Sequence, residues 1–157
     1  MPIDQDEFRR ALGHFASGIT VVTARIRGEH LAGITVTAFS SLSLEPPLVL
    51  ICIDKRAYLH QFLTQGTAFV VNILHEDQET LSRRFASRDP HQFRGIGYTP
   101  GASGAPVLDD VLAALECHVV DQHDGGDHTI FIGEVQSTRV REGKPLVYFR
   151  GGYHQLA

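Results

Sequence analysis

Five stretches carry side chains whose types and spacing suit chemistry. Thr35-Val36-Thr37-Ala38-Phe39-Ser40-Ser41-Leu42-Ser43 runs from β-branched residues into hydroxyls. Such a segment can hydrogen-bond a heterocycle edge or an oxyanion, and it reads equally as a solvated strand end. Cys52-Ile53-Asp54-Lys55-Arg56 brings an apolar run out to two adjacent cations. Lys and Arg are natural phosphate partners, although a charged strand end facing water has the same pattern. Arg83-Arg84-Phe85-Ala86-Ser87-Arg88 offers Arg84 and Arg88 to a phosphate or an adenine ring, or simply places cations at a helix C-terminus. The stretch from His118 to His128 holds His123, Asp124 and Asp127. His118 and His123 are an odd number of positions apart, so a regular strand points them to opposite faces, which argues against a shared metal. Asp124 to Asp127 read as turn formers, and Gly126-Asp127-His128 as an imidazole positioned at a hairpin edge. Tyr148-Phe149-Arg150-Gly151-Gly152-Tyr153-His154 combines aromatic, cationic and permissive residues, fit for ligand stacking or for packing on a partner. No Gly-x-Ser-x-Gly, His-Glu-x-x-His or phosphate-loop pattern occurs, and no nucleophile stands with a base.

The elements that must hold these residues are mostly strands. Asp4 is a helix cap with Glu7 three residues on, and Phe8, Ala11, Leu12 and Phe15 form one apolar stripe, with Gly18 placed to stop the helix. Strands are expected over 19–24, 33–39, 48–53, 67–74, 114–122, 128–140 and 145–149. Short helices are expected over 58–63 and 76–86, the latter with Leu81 and Phe85 in helical register. Turns fall at Arg27-Gly28-Glu29, Gly125-Gly126 and Glu142-Gly143. Residues 87–106 are rich in Gly and Pro and long for a structureless loop, which marks a functional or interface segment. Strands grouped in this way argue against a doubly wound parallel sheet and point to a small antiparallel barrel with helical additions. No GxGxxG follows a strand, so a nicotinamide cofactor would not sit in the usual dinucleotide crevice.

At 157 residues the chain is expected to be one domain, 1–157. With 43% hydrophobic and 20% charged residues it is neither disordered nor fibrous, and at this length it needs no disulfide or structural metal. A net charge of −4 argues against nucleic acid. No apolar run is long enough for a membrane span, and Asp4-Gln5-Asp6-Glu7 stands where a signal peptide would be basic, so the expected location is cytoplasmic. Cys52 and Cys117 lie among apolar neighbours and are expected to be free, buried thiols.

Three of these segments together resemble the flavin reductase-like family, the small partner reductases of two-component flavin monooxygenases. They are the opening Phe8-Arg9-Arg10-Ala11-Leu12-Gly13-His14-Phe15-Ala16-Ser17-Gly18-Ile19-Thr20-Val21-Val22-Thr23, the stretch from Thr35 through Pro46-Pro47-Leu48-Val49, and Gly126-Asp127-His128 followed by Ile130-Phe131-Ile132-Gly133-Glu134-Val135. Position 38 departs from the family pattern, where Asn is common, and Ala38 leaves only backbone contacts there. The resemblance implies a mainly β, split antiparallel β-barrel of Greek-key type with a few peripheral helices, usually a homodimer. It implies FMN or FAD as cofactor, NADH or NADPH as hydride donor, and a partner monooxygenase that receives reduced flavin. No 2′-phosphate cluster is evident, which favours NADH. By that likeness Thr35, Val36, Thr37, Ala38, Ser40 and Ser41 hold the isoalloxazine edge and part of the phosphate chain. Cys52, Ile53, Asp54 and Lys55 line the other side, Phe85 and Arg88 lie near the phosphate or adenosine end, and His128 stands where nicotinamide stacks. A pyridoxamine-phosphate-oxidase-like oxidase on a related barrel and a non-catalytic flavin-binding electron carrier are the rival readings.

Overall fold

The computed structural model describes residues 2–157. Helix α1 (Gln5–Leu12) starts where expected: the Asp4 carboxylate accepts from the Asp6 and Glu7 amides, both at 3.2 Å. It ends at Gly13, not Gly18. The last turn tightens to bonds from His14 and Phe15 back to Ala11 and Leu12, and the Gly13 carbonyl is taken by the Arg150 amide at 2.7 Å. Gly18 instead lies in a short strand, β1 (Ser17–Gly18).

The barrel follows. Strand β2 (Thr20–Arg27) turns at Gly28, φ +50°, into β3 (His30–Val36). The expected single strand 33–39 is divided, because the chain changes partner there. The Val36 carbonyl accepts from the Thr20 hydroxyl at 2.7 Å, and the Ala38 carbonyl accepts from the Cys52 amide at 3.0 Å. Strand β4 (Phe39–Ser43) then pairs with β5 (Leu48–Asp54). A 3₁₀ turn covers Tyr58–Phe62, and β6 (Ala68–Ile73) leads to α2 (Glu79–Ala86). Helix α2 starts three residues later than expected, since His75 and Glu76 are tied to Pro145 and Lys144. Within the long segment, β7 (Tyr98–Pro100) pairs with β8 (Pro106–Leu108). The long hairpin β9 (Ala113–Gly125) and β10 (His128–Val140) is followed by β11 (Leu146–Phe149) and β12 (Gly152–Gln155), the last not expected from the sequence.

Seven strands form one antiparallel sheet in the order β3-β2-β6-β9-β10-β5-β4. Its two edge strands, β3 and β4, are consecutive in the chain, and β3 also approaches β5, so the sheet curls into a split barrel. Strands β1, β11 and β12 make a separate three-stranded sheet.

Residues 20–24 of β2 are buried on both faces because both are covered, and the Thr20 and Thr23 hydroxyls there donate to the Val36 and Pro106 carbonyls. Val22 and Ala24 join Ile51, Phe69 and Phe131 inside the barrel, whereas Val21 packs with Val70, Phe85 and Leu108 in an outer layer under α2 and β8. One buried amide stitches that layer together. Asn72 Nδ2 donates to the Val21 carbonyl (2.9 Å) and to Thr23 Oγ1 (3.0 Å), and its Oδ1 accepts from the Leu108 amide (3.0 Å).

Candidate active site

Strand pairing decides which side chains share a surface, because residues directly opposite in an antiparallel ladder point to the same face. In β5, Val49, Ile51 and Ile53 face the core, while Leu48, Leu50, Cys52 and Asp54 face outward and are half-buried. Opposite them on β10 stand Glu134, Ile132, Ile130 and His128. On the other flank Ser40 is opposite Leu50, and Ala38 lies beside Cys52. The outward face therefore has an apolar floor of Leu50, Cys52, Ile130 and Ile132. Serine hydroxyls and exposed Thr37 and Ala38 border one edge, and charged groups close the end.

That charged end is built by β5 meeting the β9–β10 turn. The Lys55 amide donates to the Asp127 carbonyl at 2.9 Å, and the Lys55 ammonium is ion-paired with Asp124. Arg56 grips Asp54 through both its backbone and its guanidinium, at 2.8 and 2.9 Å. This hydrogen bonding to Arg56 holds the Asp54 carboxyl well below the usual carboxylate range, and the Lys55 hydrogen bond lowers that of Asp124. His128 Nδ1 lies 2.7 Å from Asp127 Oδ1. An ionised carboxylate only accepts, so Nδ1 carries the proton and donates, and Nε2 is left for a ligand. Directly behind, His60 Nε2 meets Thr129 Oγ1 at 2.8 Å, and its ring stands edge-on to Phe131.

The expected site residues divide accordingly. Ala38, Ser40, Cys52, Asp54, Lys55 and His128 share this face or its rim, with Thr37 alongside, whereas Ser41 stands opposite core-facing Val49 and points to the other face of β4. Cys52 is half-buried rather than buried, and burial pushes its thiol up. Val36 and Ile53 are core residues beneath the site. The Thr35 hydroxyl is occupied, donating to the Ser82 carbonyl at 2.6 Å. Phe85 is 1% exposed, wedged under Gly33, where an added Cβ would lie 2.7 Å from its ring. It supports α2 from below. Arg88 is exposed, and Arg84 is spent on the carbonyls of residues 91, 92 and 94.

Two features escaped the sequence. Asp124 and Asp127 looked like turn formers only, yet they partner Lys55 and His128; an acid immediately before a histidine was the available signal. The regular-strand argument about His118 and His123 also fails. The ladder passes from Asp121 opposite Ile132 to Val119 opposite Gly133, so Val120 is a bulge that puts both histidines on one face. His123 there pairs with Asp121 at 3.2 Å.

A flavin fits such a surface: an apolar floor for the ring, hydroxyls and backbone groups along its edge, and an ammonium at the end for a phosphate. Comparison with known proteins agrees. Residues 12–157 match the family model for the flavin reductase like domain. The chain is 45% identical over 156 residues to an NADH-dependent FAD reductase of Streptomyces globisporus, covering 96% of this chain and 85% of that one. It is 44% identical over 153 residues to the reductase component of 4-hydroxyphenylacetate 3-monooxygenase of Thermus thermophilus, covering 97% of each. The crystal structure of the S. globisporus NADH:FAD oxidoreductase with NAD and FAD fragments superposes with a TM-score of 0.93 at 39% identity, over 98% of this chain and 93% of that one. A split barrel carrying this face, matched along nearly its whole length, belongs to the flavin reductase-like family.

Proposed function

We propose that this protein is an NADH-dependent flavin reductase that supplies reduced flavin to a separate monooxygenase. The observation that carries the reading is the shared outward face of β4, β5 and β10, with its apolar floor, its hydroxyl edge and Lys55 and His128 at one end. When bound, the flavin accepts a hydride from the reduced nicotinamide. The protein's part is positioning. Leu50, Cys52 and Ile130 support the ring and exclude water from one side. Ser40 and the backbone at Thr37 and Ala38 meet its polar edge. Lys55 neutralises the flavin phosphate, exchanging Asp124 for it. His128, held by Asp127, presents Nε2 to the nicotinamide carboxamide. No general acid is required, because a hydride brings no proton and nearby donors tolerate the resulting negative charge.

The floor is an open surface on a single chain. Two cavities among the described residues lie elsewhere, one by residues 29–31 and 90–94, the other by α1 and Arg150. A second copy closing over this face completes the site as a homodimer, and an open face also lets the product leave.

Rapid-mixing reduction of the purified protein, with FMN or FAD and with NADH or NADPH, tests the reading. NADH is expected to reduce added flavin in a single fast phase. Protein that leaves flavin oxidised under NADH would make it a carrier and overturn the proposal.

A further inference from the structure

A cavity of about 310 Å³ outside the β5–β10 face is lined by Arg9, Arg10, Gly13, His14, Arg150 and Gly151. The two ends of the chain meet there, the Arg150 amide bonded to the Gly13 carbonyl. Arg9 is paired with Asp6 at 3.2 Å. Arg10 and Arg150 make no ion pair among the described residues. His14 Nδ1 donates to the Arg10 carbonyl at 2.7 Å, which leaves Nε2 available, and its ring stands edge-on to Phe149. A chain of net charge −4 thus lines one hollow with two arginines that have no ion-pair partner, a lining suited to an anion.

The α1 C-terminus accounts for part of this, since its carbonyls favour cations in the last turn. It does not account for Arg150, which comes from the other end of the chain. Phe149 pairs with Gly152, so Arg150 and Gly151 form a two-residue hairpin turn with φ of +51° and +76°. Such a turn favours Asn or Gly at its first position, and a long side chain there is held against its backbone preference. Nothing in the turn calls for arginine. The cavity does.

The hollow also lies at a telling end of the barrel. Strand β2 begins at Thr20 opposite Val36, so the segment from Gly13 to Ile19 joins the barrel where Thr37 and Ala38 cross from β3 to β4. We infer that Arg10, Arg150 and His14 form a binding site for the phosphate groups of a nucleotide, recruited from the flavin or from the nicotinamide cofactor. The inference rests on the reductase reading for the identity of the nucleotide, not for the existence of the anion site.

The test begins with inorganic pyrophosphate, titrated calorimetrically into the full-length wild type, Arg150→Gly and Arg10→Gln. Glycine suits the left-handed turn, so Arg150→Gly is expected to keep or raise the melting temperature while losing about ten-fold or more in pyrophosphate affinity. Arg10→Gln is expected to weaken binding in the same direction. Two further ratios separate the sources. If the second phosphate of FAD is held here, beyond the one that Lys55 meets, Arg150→Gly lowers the preference for FAD over FMN. If the nicotinamide nucleotide is held here, it lowers the preference for NADH over dihydronicotinamide riboside. Pyrophosphate binding equally to wild type and Arg150→Gly overturns the site, as does constancy of both ratios. Failure of the reductase reading itself would instead appear as absence of NADH-driven reduction with pyrophosphate binding intact.

Discussion

His128 is an imidazole whose proton is placed by its neighbour. Asp127 fixes Nδ1 as the donor, and Nε2 can then only accept while the ring is neutral. His128→Ala is expected to leave flavin affinity nearly unchanged and to slow reduction by about 10–100-fold, roughly 1.4–2.7 kcal/mol of transition-state stabilisation. His128→Asn keeps a hydrogen-bonding group and is expected to recover part of the rate. Single-turnover reduction at saturating NADH separates chemistry from binding, and an unchanged rate in His128→Ala would remove the residue from the reaction. Lys55 poses the opposite case, a cation already partnered. With Asp124 as an internal competitor for the phosphate, Lys55→Ala is expected to weaken FMN by about ten-fold or more and to spare riboflavin. Asp124→Asn frees the ammonium and is expected to tighten FMN. Fluorescence titration of both flavins reads both outcomes; equal losses for FMN and riboflavin in Lys55→Ala would mean that it does not meet the phosphate.

At the scale of elements, α2 is seated on the barrel at two points. The Phe85 ring lies against the bare backbone of Gly33, and the Thr35 hydroxyl caps the Ser82 carbonyl one residue pair further along β3. Glycine is required at position 33 for close approach, since a methyl group there would meet Phe85 Cδ1 at 2.7 Å. Gly33→Ala is therefore expected to cost about 1–3 kcal/mol, read as a lowered thermal midpoint. Because residues 35–38 continue from that strand into the proposed flavin edge, flavin affinity is expected to fall in the same variant. A stability and flavin affinity both equal to wild type would show that α2 has room to shift. The β9–β10 hairpin works differently. Its bulge at Val120 and its tight turn carry Asp124 and Asp127 to the Lys55 end of β5, so the site's acidic partners arrive through register and not through packing.

For the molecule as a whole, the feature that stands out is what the single chain leaves uncovered. The helix α1 buries no residue, and its apolar stripe points outward, with Phe8 51%, Leu12 57% and Phe15 83% exposed. The floor of the candidate site is likewise open. Apolar surface left in water on both counts predicts association, and a stable interface needs about 1,200–2,000 Å² in total. Light scattering at micromolar concentration is expected to give twice the mass of the chain; the mass of one chain would contradict a homodimer. No helix among the described residues is long and apolar enough to cross a membrane.

Local pattern was enough wherever a residue's surroundings are its own chain neighbours. The cap at Asp4, the turns at Gly28 and Gly126, the apolar strand at 48–53 and the hairpin after Ala114 all follow from short-range preferences, and together they specify an antiparallel barrel. The motifs around Thr35 and His128 pointed to a flavin surface before any fold was known. Tertiary structure decided the rest, because those outcomes depend on partners remote in sequence. The stop of α1 at Gly13 is imposed by Arg150, and the break after Val36 by an exchange of strands from β2 to β5. The withdrawal of Phe85 into the core follows from Gly33, and the pairing of Lys55 with Asp124 from the ladder that sets Asp54 opposite His128. Period and propensity act over a few residues, whereas register and close approach join residues far apart along the chain, and the chemistry of this site is a matter of register.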